Sequence, residues 1–112
     1  MLKKENRLSQ RSDILKVKED GELINASLLS LLIYRNKDKK IKRFGVVVSK
    51  KISKRAVDRN KVKRLIMESL KNNLNKIEGG LEILFLVKKN ILGKKYKEVE
   101  EEVKKIFKID SK

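Results

Sequence analysis

The chain has 112 residues, 39% of them apolar, and a formal net charge of +16 from 31 Lys and Arg against 15 Asp and Glu. That length suits one domain, residues 1–112, with a modest core, and the cationic excess repels itself in the compact state while attracting polyanions. With no Cys and no His, disulfides, thiol catalysis and zinc knuckles are excluded, and the commonest general base is missing.

Residues 1–8 are polar and basic and read as a frayed start. Ser9 or Ser12 can cap a short helix that runs to about Asp20 and stops at Gly21, with Ile14, Leu15 and Val17 on its apolar side and Arg11, Lys16 and Lys18 supplying charge. Residues 22–26 form a short strand. Residues 28–34 are a continuous apolar run whose length fits a buried strand, and the polar stretch 35–40 reads as a hairpin loop. Phe44-Gly45-Val46-Val47-Val48 is the best strand signal in the chain.

A basic segment, residues 49–69, follows. In its first two thirds Lys50, Lys51, Lys54, Arg55, Arg59, Lys61, Lys63 and Arg64 crowd against one acid, Asp58. Val57, Val62, Leu65, Ile66, Leu70, Leu74 and Ile77 recur mostly at gaps of three and four, which predicts a helix from about Ala56 to Lys76. Arg55, Arg59 and Lys63 stack along it, and Asn60 and Arg64 form the neighbouring row. Like charges four apart repel by a few tenths of a kcal/mol. A Lys-rich run is ordinarily a solvated face, but guanidinium forks match phosphate oxygens bidentately, and Asn60 adds a group able to hydrogen-bond a base edge or sugar. The helix therefore reads as a nucleic-acid contact. Gly79-Gly80 turns the chain into a strand at residues 81–88, Gly93 breaks it again, and residues 95–108 are amphipathic, with Glu early and Lys late to suit the helix dipole.

The order is αβββαβα, an α+β fold in which strand, helix, strand across the basic segment makes two strands parallel neighbours, by default through a right-handed crossover. The acids are scattered, and the Glu98 to Glu102 cluster lies on a solvated helix face, so no protein-borne active site or metal site emerges. No run reaches the roughly 18 apolar residues of a membrane span, and the start lacks a signal-peptide core; the expected location is the cytoplasm.

The pattern Lys50-Lys51-x-x-Lys54-x-Ala56-Val57-x-Arg59-Asn60-Lys61-x-Lys63-Arg64-Leu65-Ile66 closely resembles the signature of the bacterial ribonuclease P protein component, its Arg-Asn-Arg core standing here as Arg59-Asn60-Lys61. The resemblance extends from about Arg7 to Ile109. It implies a two-layer αβββαβα sandwich like the second domain of small-subunit ribosomal protein five, with a left-handed crossover as the family's exception. It also implies an accessory subunit, one protein to one catalytic RNA, in which the RNA holds Mg2+ and removes the 5′ leader of precursor tRNA, while the protein lowers the Mg2+ requirement and broadens the substrate range. By the same resemblance Lys50, Lys51, Lys54, Arg55, Arg59, Asn60, Lys61, Lys63 and Arg64 face the catalytic RNA. A cleft between the first helix and the sheet, here Arg11, Ile14, Lys16, Lys18, Leu29 and Leu32, takes the leader. This sequence departs from the family in lacking aromatics at those cleft positions, in Ser53 replacing a glycine and in Met67 replacing an arginine. The competing readings are a general RNA-binding or ribosomal protein, an independent nuclease, which the absent catalytic groups disfavour, and a membrane-surface protein, which the lack of an aromatic anchor disfavours.

Overall fold

The computed structural model describes residues 2–109. Its elements are α1 (Arg11–Asp20), β1 (Glu22–Asn25), β2 (Leu29–Arg35), β3 (Lys42–Val47), α2 (Ala56–Asn72), β4 (Leu81–Val87) and α3 (Tyr96–Ile106), with single 3-10 turns at Lys4–Asn6, Leu74–Lys76 and Lys89–Ile91. This is the αβββαβα order that the sequence predicts. No helix among the described residues is long and apolar enough to cross a membrane.

The sheet order is β1-β2-β4-β3. β4 runs antiparallel to β2, pairing Leu81 with Arg35 and Val87 with Leu29, and parallel to β3, pairing Leu81 with Lys42 and Leu86 with Val47. The segment expected to close a β2–β3 hairpin therefore does something else. The apolar run of β4 is buried on both faces and takes the central position between β2 and β3, because only there does it find partners on both edges. The 36–41 segment instead arches over the start of β4: Asn36 N–H donates to the Gly80 carbonyl at 2.7 Å and Gly80 N–H donates to the Ile41 carbonyl at 2.7 Å.

Strand alternation divides the side chains. Leu29, Leu31, Ile33, Phe44, Ile83 and Phe85 join Val62, Ile66 and Leu70 of α2 and Val99 and Val103 of α3 in the main core. Phe44 sits 6.3 Å from Phe85 and meets Phe107 edge-on at 6.3 Å. On the opposite face α1 covers a smaller cluster of Leu8, Val17 and Leu84, bordered by Ile14, Leu32, Tyr34 and Leu86.

Three sequence expectations are corrected. Residues 2–8 are packed, not frayed: Leu2 and Leu8 are buried, and Leu8 N–H donates to the Phe44 carbonyl at 2.9 Å. Val57, placed in the apolar stripe of the basic helix, is 68% exposed, because it lies a half-turn away from the Val62, Ile66, Ser69 and Leu70 face. α2 also stops at Asn72, short of Lys76. Asn73 is buried and its amide donates to the Ser69 carbonyl at 2.8 Å and to Glu100 at 3.1 Å. Such a side-chain bond to a nearby carbonyl competes with helix continuation.

The arch over β4 makes a sharp prediction. A Cβ on Gly79 would lie 1.7 Å from the Lys39 carbonyl oxygen, whereas Gly93, at φ +82°, has nothing within 4 Å of that position. In urea unfolding, Gly79→Ala should cost about 3 kcal/mol, as overpacking against backbone does. Gly93→Ala should cost only the left-handed penalty of about 1–2 kcal/mol.

Candidate nucleic-acid interface

The turn after β3 and the first half of α2 carry the cations. Val48 is buried and Ile52 half-buried, anchoring the turn to the core, and Ile52 N–H closes it on the Ser49 carbonyl at 3.0 Å. Lys50, Lys51, Lys54 and Arg55 project from this anchored loop into solvent. Along α2, Val62 and Ile66 face the core, which leaves Asn60, Lys61, Lys63 and Arg64 exposed. None of Lys61, Lys63 and Arg64 enters an ion pair among the described residues. Eight of the nine predicted residues are thus exposed on this loop and helix.

Arg59 is placed differently from its neighbours. It is half-buried, and its guanidinium donates to the Ser53 carbonyl at 2.8 Å. Ser53 is the residue that sequence reasoning treated only as a replaced glycine. Its hydroxyl donates to Asp58 at 3.0 Å and accepts the Arg55 N–H at 3.2 Å. Asp58, in the first turn of α2, also pairs with Arg55 at 3.9 Å, an acid where the helix dipole favours one. Arg59, Ser53 and Asp58 therefore fasten the cationic loop to the helix start. The readable signal was a serine followed five residues later by an acid at the head of a helix. Met67, where an arginine was the alternative, is partly buried against the core.

The α1 face holds the second group. Ile14 and Leu32 border the small apolar cluster there, and Arg11 and Lys18 stand exposed on α1. Leu29 does not belong with them. It is fully buried in the main core, because odd-numbered residues of β2 point toward α2 and α3 while even-numbered ones point toward α1. The same alternation supplies what the sequence reading missed. Tyr34, two residues beyond Leu32, faces α1, and the Lys16 ammonium lies 4.7 Å from its ring centroid. The α1 face is not without an aromatic.

Lys16 is held by internal partners. Glu82, fully buried on β4, receives Lys16 Nζ at 3.0 Å, the Asn36 amide at 3.0 Å and Arg43 at 3.5 Å. Asp13 joins through Arg43 at 3.4 Å and Lys16 at 3.8 Å. Burial alone would push the Glu82 carboxyl up, but the hydrogen bonds from Asn36 and Lys16, with the Lys16 and Arg43 charges, hold it below the ordinary carboxylate range. The Lys16 ammonium is raised, chiefly by its hydrogen bond to Glu82. This cluster ties α1 to β2, β3 and β4. Among the described residues no three acids gather to hold a metal. The buried carboxylates are already occupied, Glu82 by these cations and Glu102 by the Leu28 N–H. A resident metal does not fit this side-chain set.

The chain is similar to known proteins along most of its length. The ribonuclease P family profile matches residues 2–109. The ribonuclease P protein component of Clostridium kluyveri is 38% identical over 104 residues, covering 91% of each chain. That of a Pseudanabaena species is 36% identical over 107 residues, covering 96% of this chain and 92% of the relative. Among solved structures, the RNase P protein from Thermotoga maritima aligns with a TM-score of 0.81 at 25% identity, over 95% of this chain and 98% of that one.

The Glu82 cluster sets a pH dependence. A carboxyl depressed in the folded state stabilises above its unfolded pKa of about 4.3, and that contribution is lost as pH falls through the lower folded value. Urea titrations from pH 7 downward should show the native chain losing stability more steeply below about pH 4.3 than Glu82→Gln does. At pH 7 the variant should be weaker by roughly 1–3 kcal/mol. Parallel acid limbs would remove Glu82 from this account.

Proposed function

The chain belongs to the ribonuclease P protein component family and so to an RNA-binding subunit of the tRNA-processing endoribonuclease, and from that premise we propose how its surfaces divide the work. The turn after β3 and the outer rows of α2 dock on the catalytic RNA. Lys50, Lys51, Lys54 and Arg55 reach phosphates from the loop. Lys61, Lys63 and Arg64 do so from the helix, with Asn60 among them for a base or sugar. Arg59 acts from behind, holding the loop through Ser53 in the shape the RNA meets.

The α1 face takes the 5′ leader of precursor tRNA, with Ile14, Leu32 and Tyr34 offering apolar and aromatic contact and Arg11 and Lys18 offering charge. A base stacked on an aromatic ring gains about 1–3 kcal/mol, which gives Tyr34 the largest single share. The chemistry and its Mg2+ belong to the RNA, in keeping with the lack of three convergent acids among the described residues. By neutralising phosphates where two RNAs approach, one protein per RNA lowers the Mg2+ needed, in the cytoplasm where the substrate is made.

The observation that carries this reading is the exposed outward row Asn60, Lys61, Lys63 and Arg64 on α2, beside an anchored cationic loop. The test is reconstitution: purified protein with a catalytic ribonuclease P RNA, at Mg2+ too low for the RNA alone, scored by correct 5′-leader removal. Rescue by the protein, inert by itself, supports it; tight RNA binding without rescue overturns it in favour of a general RNA-binding role. Arg64→Ala should weaken binding to the catalytic RNA by roughly tenfold, about 1.4 kcal/mol, and reduce the salt slope by about 1. Tyr34→Ala should leave RNA binding intact while reducing affinity for leader-bearing substrate by about 1–3 kcal/mol, with no change for a leaderless tRNA.

A further inference from the structure

We propose that the groove between β1 and the C-terminal turn of α3 receives an extended acidic protein segment, which adds as a strand to the free edge of β1. Among the described residues β1 pairs with β2 alone and closes one side of the sheet. Ala26 N–H donates to the Leu29 carbonyl at 2.9 Å, so by antiparallel alternation Ile24 and Glu22 bond toward β2, and Leu23 and Asn25 aim their N–H and C=O groups outward. Exposed edges are normally blunted by Lys or Pro. β1, Glu22-Leu23-Ile24-Asn25, has neither, and Leu23 is 57% and Ile24 37% exposed.

Beside this edge lies a groove of about 700 Å³, floored by Ile24, Ile33, Leu81 and Ile106 and rimmed by Lys76, Lys105 and Lys108. Its two acids are already occupied: Glu78 pairs with Arg35 at 3.2 Å, and Glu102 accepts the Leu28 N–H. What remains is an aliphatic floor, a cationic rim and a row of unpaired backbone groups. A strand alternating apolar and acidic residues satisfies all three at once, its backbone on Leu23 and Asn25, its apolar side chains on the floor and its carboxylates on the lysines. A nucleic-acid strand satisfies only the rim. Single-strand binders depend on aromatic platforms, and the one ring here, Phe107, is set edge-on against Phe44. The groove shares no residue with the cationic row of α2.

The test uses the full chain, ¹⁵N-labelled, titrated separately with a seven-residue peptide alternating Asp or Glu with Val or Ile, with the same peptide N-methylated at alternate amides, and with octauridine. The native peptide should shift the amides of Leu23, Asn25 and residues 105–109. N-methylation should weaken it at least tenfold, and so should Lys105→Glu with Lys108→Glu, a variant that keeps the amide dispersion of the folded chain and its affinity for octauridine. Shifts confined to α2 would reduce the effect to bulk charge and overturn the proposal. Octauridine shifting the groove where the peptide does not would reassign it to RNA. Silence at millimolar peptide would also overturn it.

Discussion

The arrangement depends on one strand being enclosed on every side. β4 is hydrogen-bonded to β2 and β3, packed by α2 and α3 beneath, and covered by α1 above. A strand in that position must be nearly all apolar, and Leu81-Glu82-Ile83-Leu84-Phe85-Leu86-Val87 is, apart from one carboxylate. Because β3 and β4 are parallel neighbours, the chain must travel back along the sheet between them, and α2 is that return path. The start of α2 and the turn before it consequently emerge together at the end of β3. The basic segment acquires its shape from this connection: a loop and a helix N-terminus fixed side by side, rather than a charged tail.

The cationic excess is of two kinds. Some cations are turned inward onto acceptors: Lys16 and Arg43 onto Glu82, Arg59 onto the Ser53 carbonyl, Lys42 onto the Leu74 carbonyl at 2.9 Å and Lys88 onto the Ala26 carbonyl at 2.6 Å. These close ends and joints of the fold. Of the others, Lys50, Lys51, Lys54, Lys61, Lys63 and Arg64 have no such acceptor among the described residues and stand in solvent. Composition counts both alike, which is why a net charge alone overstates what is available to a polyanion.

What could be read from the sequence was what is local. The strands around Phe44 and Phe85, the amphipathic α3 and the cationic run all follow from spacing within a few residues. What escaped was set by partners distant in the chain. The 36–41 segment has hairpin composition, yet β4 occupies the place a hairpin partner would have taken. Leu29 and Tyr34 exchanged roles because a continuous apolar run conceals which parity faces which helix; only pairing with β4 settles it. Leu2 and Leu8 are isolated in a basic stretch, and nothing nearby in sequence announces the core they complete. Ser53 was seen as a missing glycine, while its value lies in Asp58 and Arg59 beyond it.

The pairing of Leu29 with Val87 also bears on how the chain is made. β2 leaves the ribosome well before β4 exists, carrying the run Leu29-Ser30-Leu31-Leu32-Ile33-Tyr34 with its β4-side edge open, a segment prone to join the same segment of another chain. Closing so long a loop is slow. Through that interval the nascent chain already bears the lysines and arginines of its early segments, and mutual repulsion between copies keeps their open strands apart. The charge that draws RNA to the finished protein thus protects the unfinished one from its own kind.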